Sequence, residues 1–248
     1  MKLSNNTVLI TGGSAGIGLA IAKQLTEAGN HVIITGRNAE RLEKALAQLK
    51  NATGIVSDVS KEADVVKLVE QLKKDHPTLN AVINNAGRAI LYSLSESNVD
   101  AYSKAADELH TNYLSVIRLN ELLLPLLKQQ AAAAIVNVSS IVAFAPSQRL
   151  SSYGASKAAL HSYSQSLRLA LKDTNIKVFE LMPPLVDTEF SEPIGGSRGI
   201  PASAVADALF TAFKNDEYEI HVGGTADFYK LYLSSPQQAL EVMNAELP

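Results

Sequence analysis

The chain has 248 residues, a formal net charge of −3 and no cysteine. The absence of cysteine excludes disulfides, thiolate metal sites and cysteine nucleophiles, and a slightly acidic chain without a block of lysine and arginine is not expected to bind nucleic acid. Because no run approaches about 18 apolar residues and the first apolar run, residues 8–10, is too short for the core of a signal peptide, we expect no membrane span and a cytoplasmic location.

Short apolar runs alternate with longer helix-like segments along the whole chain. Strands are predicted at residues 8–11, 31–35, 55–57, 81–84, 135–139, 177–181 and 219–222. Helical segments are predicted at residues 16–28, 38–50, 60–75, 101–129, 152–172 and 201–214, followed by a mostly helical remainder. Such alternation is typical of βαβ units around a parallel sheet that is buried on both faces. We therefore predict one α/β domain over residues 1–248, a doubly wound Rossmann domain with about seven parallel strands and helices on both faces.

Capping residues mark the predicted starts of three helices. Asn38 and Ser60 each precede a helix-like segment, and their side chains are suited to accept a hydrogen bond from the first turn. Ser235 followed by Pro236 is the combination of an N-cap and a first helical residue. We therefore expect Asn38, Ser60 and Ser235 to cap helices.

A glycine-rich turn joins the first predicted strand to the first predicted helix. Its sequence is Thr11-Gly12-Gly13-Ser14-Ala15-Gly16-Ile17-Gly18. A turn at this place directs backbone N–H groups and the positive end of the helix dipole towards a pyrophosphate. Gly12 allows the tight turn, Gly16 the approach of the phosphates, and Gly18 the close packing of helix and strand. A plain βα turn is the alternative, but the position after the first strand favours a dinucleotide site.

The end of the second predicted strand indicates which dinucleotide binds. A site for NAD(H) needs an acidic side chain there for the ribose hydroxyls, but this chain has Gly36, followed by Arg37 and Asn38. A guanidinium binds a 2′-phosphate in bidentate fashion, whereas a carboxylate would repel it. Ser14 offers a further hydroxyl. We therefore predict NADP(H) rather than NAD(H), the alternative being that Arg37 is only a solvated residue at a strand end.

Polar residues from four regions are predicted to meet at one edge of the sheet. Tyr153 and Lys157 are four residues apart in a predicted helix and share one face. Ser140 precedes Tyr153 by 13 residues and follows a predicted strand, and Asn84-Asn85-Ala86-Gly87 ends another strand. Asn112 belongs to the long helix between these two strands. The carboxyl ends of parallel strands are where ligands bind in folds of this kind.

In this order, these motifs resemble those of the classical short-chain dehydrogenase/reductase family, and the resemblance covers nearly the whole chain. It implies that Tyr153 is the general acid in carbonyl reduction and the base in alcohol oxidation. It implies that Lys157 lowers the pKa of Tyr153 and holds the nicotinamide ribose. It also implies that Ser140, with Ser139 as its competitor, binds the substrate oxygen. Asn112 would organise a water path to Lys157, unless it is an ordinary polar residue of the helix.

The resemblance implies further contacts to the cofactor. Asp58 and Val59 match the pair that contacts the adenine, and Val186 and Thr188 match residues that recognise the carboxamide. The complete set of expected cofactor-binding residues is Gly12, Ser14, Gly16, Ile17, Gly18, Arg37, Asn38, Asp58, Val59, Asn85, Ala86, Gly87, Tyr153, Lys157, Val186 and Thr188.

The chain departs from the family pattern after the sixth predicted strand, where Pro183-Pro184 stands in place of the usual Pro-Gly. Proline fixes φ and has no N–H, whereas glycine is permissive, so we expect a local difference in the backbone beside the nicotinamide. With Gly223-Gly224 and Ser235-Pro236, the double proline resembles the DltE-like subgroup of the family.

Residues 189–201 are expected to form a lid over the substrate, because this polar segment contains three glycines; a plain surface loop is the alternative. The other candidates for the pocket wall are mostly apolar: Arg88, Ile90, Ile141, Ala143 and Phe144. They favour a small-molecule ketone or secondary alcohol with a hydrophobic body. The five histidines are scattered singly and indicate no metal site.

A stripe of small residues follows the predicted helix at 152–172: Ala155, Ala159, Ser162, Ser166 and Ala170. In the family that the chain resembles, this helix and the one before it build a subunit interface. We therefore expect a homodimer or homotetramer, with packing inside the chain as the alternative explanation of the stripe.

The expected function is hydride transfer between NADP(H) and a carbonyl or secondary alcohol substrate. One alternative is a sensor or scaffold that binds NADP(H) without turnover, although the complete Asn/Ser/Tyr/Lys set argues against a pure binder. Another alternative keeps the fold but carries out an isomerisation or a dehydration.

Overall fold

The structure, a computed structural model, describes residues 3–245. Its strands are β1 (Thr7–Thr11), β2 (His31–Gly36), β3 (Ala52–Val56), β4 (Leu79–Asn84), β5 (Ala133–Val138), β6 (Ile176–Met182), β7 (Val186–Asp187), β8 (Ile200–Pro201) and β9 (Glu219–His221). Seven of them form a parallel sheet in the order β3-β2-β1-β4-β5-β6-β9, and β7 pairs with β8 in a separate parallel sheet. The predicted parallel α/β fold is thereby confirmed.

Helices cover both faces of the sheet. They are α1 (Gly16–Glu27), α2 (Ala39–Leu46), α3 (Glu62–Asp75), α4 (Ala101–Leu109), α5 (Ser115–Lys128), α6 (Ser151–Ala170), α7 (Ala202–Asn215), α8 (Thr225–Ser234) and α9 (Pro236–Asn244). Successive residues of a strand point to opposite faces. Val8 and Ile10 of β1 accordingly belong to a core with α1, α2 and α7, whereas Leu9 belongs to a core with α3 and α5. None of the helices within residues 3–245 combines the length and hydropathy that a membrane span requires.

The order of the strands reverses next to β1. From β1 the chain proceeds outwards through β2 to β3, and it then returns to the other side of β1 to form β4 and the strands beyond it. In open α/β sheets a ligand crevice forms where the strand order reverses, outside the carboxyl ends of the strands. Here that crevice lies between the ends of β1 and β4, at Thr11 and Asn84.

Two of the three predicted helix caps are present. Asn38 accepts a hydrogen bond from Arg41 N at 2.9 Å, and Ser235 accepts one from Gln238 N at 3.3 Å. The prediction for Ser60 is wrong, because α3 starts two residues later and the Ser60 hydroxyl donates to Asp58 Oδ1 at 2.7 Å instead.

The predicted extent of the second helix is also wrong. It ends at Leu46 rather than at residue 50, and the backbone N–H groups of Gln48 and Leu49 donate to carbonyls only three residues before them. This tighter turn leaves room for β3 to begin at Ala52, three residues earlier than predicted.

The long helix predicted at 101–129 is interrupted. Between α4 and α5 the residues His110–Leu114 form a π turn. Turns of this kind place an extra residue in the helix and are frequent at functional sites. Asn112 lies in this turn and is only 1% exposed, so the irregular turn holds its amide in the interior.

Candidate active site

The glycine-rich turn and the end of β4 are connected by side-chain hydrogen bonds. Thr11 Oγ1 accepts from the backbone N–H groups of Asn85 and Ala86, both at 3.1 Å. Asn85 Nδ2 donates to the carbonyls of Thr11 and Gly12 at 3.0 and 3.1 Å. These bonds hold the carboxyl ends of the two central strands together and fix the path of the turn.

The turn has the shape that a bound pyrophosphate requires. Gly12 and Gly16 have φ values of +65° and +53°, which side chains other than glycine rarely adopt. A Cβ atom on Gly18 would lie 2.5 Å from Gly12 O, so helix α1 packs directly on the turn. With α1 starting at Gly16, the N–H groups of its first turn are directed at the crevice, and the residues fit a dinucleotide.

A cavity of about 1140 Å³ lies at this edge of the sheet. Of the 16 residues predicted to bind the cofactor, all except Gly18 line the cavity. Gly18 packs behind the turn instead, against Gly12 O and Asn85. Ser140 also lines the cavity, whereas Asn112 does not. The structure therefore brings together predicted site residues from seven separate segments of the chain.

One end of the cavity is lined by residues that follow β2 and β3. The exposed Arg37 follows Gly36, and a Cβ atom on Gly36 would lie 3.1 Å from Ser14 Oγ. Burial alone would raise the pKa of the Asp58 carboxyl, but hydrogen bonds from Ser60 and the charge of Arg37 bring it below its ordinary value. Arg37 thus faces the cavity beside an ionised carboxylate and a serine hydroxyl.

Tyr153, Lys157 and Ser140 form a compact group at the other end. The Ser140 side chain lies next to the phenol of Tyr153 and acts to lower its pKa. Lys157 Nζ lies 5.5 Å from the centre of the Tyr153 ring and donates to Val138 O at 2.8 Å. Lys157 is only 4% exposed, so its position is set by the strand end and the helix.

Burial dominates the protonation equilibria of this group. It raises the pKa of Tyr153 to about 12, although the Ser140 side chain acts in the opposite direction. Burial also lowers the pKa of Lys157 to about 8, against the attraction of Glu180. The expected lowering of the pKa of Tyr153 by Lys157 is therefore not found, because exclusion of water from the phenol outweighs the nearby cation.

Asn112 uses its amide to hold the segment that follows β4. Its Oδ1 accepts from Arg88 N and its Nδ2 donates to Arg88 O, both at 2.8 Å. Nδ2 also donates to Ser156 Oγ on α6 at 2.9 Å. Asn112 is therefore a bridge between the segment after β4 and the helix that carries Lys157.

Sequence reasoning missed a buried carboxylate behind Lys157. Glu180 lies in β6 with no exposed surface and accepts hydrogen bonds from Ser139 Oγ and from His161 Nδ1, the latter at 2.9 Å. The hydrogen bond that His161 donates to Glu180 raises the pKa of His161. Ser139 is thus committed to Glu180, which leaves Ser140 as the serine that contacts Tyr153. A single glutamate within the apolar run of β6 is the signal that could have found this group.

The segment predicted as a lid contains short elements. Two 3₁₀ turns, Glu189–Ile194 and Gly196–Arg198, lie between β7 and β8. The ring of Phe190 lies 6.1 Å from the ring of Tyr153, and Glu189 forms an ion pair with Arg41 of α2. These two consecutive residues therefore reach both ends of the cavity.

Only part of the predicted pocket wall is correct. Arg88 and Ile141 line the cavity, but Ile90, Ala143 and Phe144 do not. The Phe144 ring is 8% exposed and packs 4.6 Å from the ring of Tyr229, in a core that α8 and α9 complete. The sequence offers no sign that the chain end contributes to the wall, yet five residues of the last two helices and their end line the cavity: Phe228, Val242, Met243, Asn244 and Ala245.

The double proline is accommodated without an unpaired backbone donor. Pro183 O accepts from Ile141 N at 3.0 Å, a bond that needs no N–H from either proline. The ring of Pro184 lies over Gly223, where a Cβ atom would be 3.8 Å from Pro184 Cγ. Both prolines line the cavity, and the chain then enters β7 at the buried Val186.

Comparison with known proteins agrees with this geometry. A family model described as short chain dehydrogenase matches residues 6–199. The uncharacterized oxidoreductase DltE of Bacillus subtilis is 40% identical over 213 residues, which cover 86% of this chain and 84% of DltE. Among solved structures, a short chain dehydrogenase from Burkholderia cenocepacia in complex with NADP has a TM-score of 0.86 at 24% identity, with 100% of both chains covered.

A short chain dehydrogenase/reductase from Burkholderia phymatum in complex with NAD has a TM-score of 0.84 at 20% identity, with 100% of this chain and 98% of that chain covered. These structures share the fold but differ in the dinucleotide that they hold. The family match and the identity to DltE carry the conclusion that this chain belongs to the short-chain dehydrogenase/reductase family of oxidoreductases, as its motifs predict.

Proposed function

We propose that this chain transfers a hydride between NADP(H) and a small carbonyl or secondary alcohol substrate. The observation that carries the proposal is that Tyr153, Ser140 and Lys157 lie together in the wall of the cavity that the glycine-rich turn also lines. A nicotinamide dinucleotide bound there supplies the hydride. A pure binding protein has no use for this acid–base group.

The protein's own part of the reaction is to bind and protonate the substrate oxygen. Ser140 donates a hydrogen bond to the carbonyl oxygen, and the phenol of Tyr153 gives up its proton as negative charge develops there. A pKa near 12 keeps this proton on Tyr153 at neutral pH, which suits carbonyl reduction. With a pKa of about 8, Lys157 is mostly cationic at neutral pH and stabilises the phenolate that remains.

A ketone panel tests this function. NADPH oxidation is followed by absorbance at 340 nm with ketones that carry apolar groups of increasing size, because the wall includes Ile141, Leu185 and Phe190. We expect one NADPH to be consumed for each alcohol formed. Tight binding of NADPH without turnover would favour the sensor or scaffold, and conversion of substrate without NADPH consumption would favour an isomerase or dehydratase.

The preference for NADP(H) rests on Arg37. Replacement Arg37→Ser removes the guanidinium that we assign to the 2′-phosphate, so we expect the KM for NADPH to rise at least about tenfold while the KM for NADH stays the same. The matched control is Arg118→Ser, because Arg118 pairs with Glu62 and does not line the cavity. A wild-type enzyme that prefers NADH would contradict the assignment.

We also propose that the enzyme is a homodimer or homotetramer that associates through α6. Four residues of its small-residue stripe are exposed, so packing inside the chain does not explain them: Ala155, Ser162, Ser166 and Ala170. Leu169 on the same helix is 71% exposed. We expect Ser162→Arg to reduce the mass measured by light scattering to that of a monomer, whereas Ser234→Arg on α8 leaves the mass unchanged. A monomeric wild type would disprove the proposal.

A further inference from the structure

A second buried carboxylate lies next to the catalytic group and has no part in the roles described so far. Glu108 lies in the last turn of α4 and has no exposed surface. One carboxylate oxygen accepts from Ile90 N at 2.6 Å, and the other accepts from the hydroxyl of Ser152. Both donors are neutral, and the nearest cation, Arg88, is paired with Asp107. Burial raises the pKa of the Glu108 carboxyl, the two hydrogen bonds and Arg88 act against that shift, and no ion pair within residues 3–245 includes Glu108.

Glu108 and Asn112 hold one wall of the cavity together. They are four residues apart, on either side of the start of the π turn. Asn112 binds the N–H and the carbonyl of Arg88, and Glu108 binds the N–H of Ile90. The segment that brings Arg88 to the cavity is thus fixed at two points two residues apart.

Glu108 also contacts the start of helix α6. Ser152, which donates to Glu108, immediately precedes Tyr153 and accepts a hydrogen bond from Tyr92 Oη at 2.7 Å. The carboxylate of Glu108 is therefore connected through Ser152 to the backbone of Tyr153. Glu108 thereby joins the wall segment to the first turn of α6.

A neutral side chain would satisfy the same partners. A glutamine at 108 would accept from Ile90 N with its oxygen and donate to Ser152 Oγ with its amide, while Ser152 turned its proton towards Tyr92. Burying a carboxylate costs more free energy than burying an amide. Hydrogen bonding alone therefore does not explain why position 108 is a glutamate rather than a glutamine. What the carboxylate adds is negative charge close to Tyr153.

We infer that Glu108 is a positioning residue that fixes Tyr153 against the Arg88–Ile90 wall and holds a negative charge near the phenol, which favours carbonyl reduction over alcohol oxidation. This inference rests on the proposed function of Tyr153. The charge of Glu108 raises the pKa of Tyr153, in the same direction as burial. Lys157 and Ser140 face the phenol from the other side, while Asp107 and Arg88 face Glu108.

The sign of this effect distinguishes it from a purely structural role. Alcohol oxidation needs Tyr153 as a base, so its rate rises with pH as the phenol loses its proton. Glu108→Gln removes the negative charge and thereby lowers the pKa of the phenol. We therefore expect alcohol oxidation at a fixed pH on the rising limb to become about threefold faster, which loss of packing would not produce.

The matched control is Asp107→Asn, which removes a charge from the neighbouring but partly exposed position. Because water screens it, we expect the pH profile of oxidation to stay in place in this variant. Glu108→Gln with the profile of the wild type would overturn the role of the charge. Glu108→Ala, which leaves Ile90 N and Ser152 without their acceptor, is expected to lower the rates in both directions.

A measurement without turnover separates this inference from the proposed function. Amide hydrogen exchange at Ile90 reports the hydrogen bond to Glu108 directly. We expect faster exchange in Glu108→Ala and wild-type exchange in Glu108→Gln. If the wild type consumes no NADPH with any ketone, the proposed function fails, while exchange still tests the positioning of the wall. Unchanged exchange in Glu108→Ala would overturn the positioning role.

Discussion

Replacement of Tyr153 by phenylalanine is expected to lower turnover by at least about 100-fold, because positioned acid catalysis contributes roughly 10²–10⁴-fold. The variant keeps the ring that packs 6.1 Å from the ring of Phe190 and loses only the phenol hydroxyl. NADPH binding should largely persist, since the glycine-rich turn is untouched. Turnover is measured with the best ketone of the panel, and binding by NADPH fluorescence.

Tyr163→Phe is the control for this experiment. Tyr163 lies on the same helix, bonds to Asn120 Nδ2 at 3.3 Å and does not line the cavity. Like Tyr153→Phe, the replacement Tyr163→Phe removes one phenol hydroxyl from α6, but at a position outside the cavity. We therefore expect turnover close to that of the wild type. Equal turnover in Tyr153→Phe and in the wild type would remove Tyr153 from the mechanism.

The second large effect is expected from Gly18→Ala. The added methyl group would lie 2.5 Å from Gly12 O and 2.5 Å from Asn85 Nδ2. Gly12 O is backbone and already accepts from Asn85, so relief of the clash opens the turn that we assign to the pyrophosphate. Overpacking of this kind costs about 1–3 kcal/mol. It outweighs the gain of roughly 1 kcal/mol that alanine brings to a helix.

We expect the Kd for NADPH to rise at least about tenfold in Gly18→Ala and the melting temperature to fall by roughly 2–4 °C for each kcal/mol of net destabilisation. The control is Gly224→Ala, where a Cβ atom would meet no atom within 4 Å and φ lies outside the left-handed range. Calorimetry and titration of both variants check the result. NADPH affinity in Gly18→Ala equal to that of the wild type would show that the turn does not hold the cofactor.

The sheet and most of the cavity wall follow from local patterns. Strands such as Leu79–Asn84 are short apolar runs, and strand ends in a parallel sheet lie at one edge whatever the details of packing. For that reason Gly12, Asn85 and Ser140 can be assigned to the same cavity from sequence alone. The periodicity of the sequence is enough to predict the position of a residue when that position depends only on its place in a strand or helix.

The remaining features depend on tertiary contacts that no local pattern encodes. Ser60 is a residue type that often caps helices, but its hydroxyl donates a hydrogen bond to the nearby Asp58 instead. The π turn around Asn112 is compatible with an ordinary helical sequence and forms because the amide is held by Arg88 and Ser156. The pKa of Tyr153 follows from burial, which spacing in a sequence does not reveal.

Glu189 and Phe190 are consecutive residues that contact opposite ends of the cavity. Glu189 is bound to Arg41, beside the residues assigned to the 2′-phosphate, and Phe190 lies against the ring of Tyr153. Adjacent Cα atoms are only 3.8 Å apart, so a displacement that breaks the first contact also carries the second residue away. A movement of this segment that breaks the Glu189–Arg41 ion pair therefore also displaces the ring of Phe190 from the ring of Tyr153.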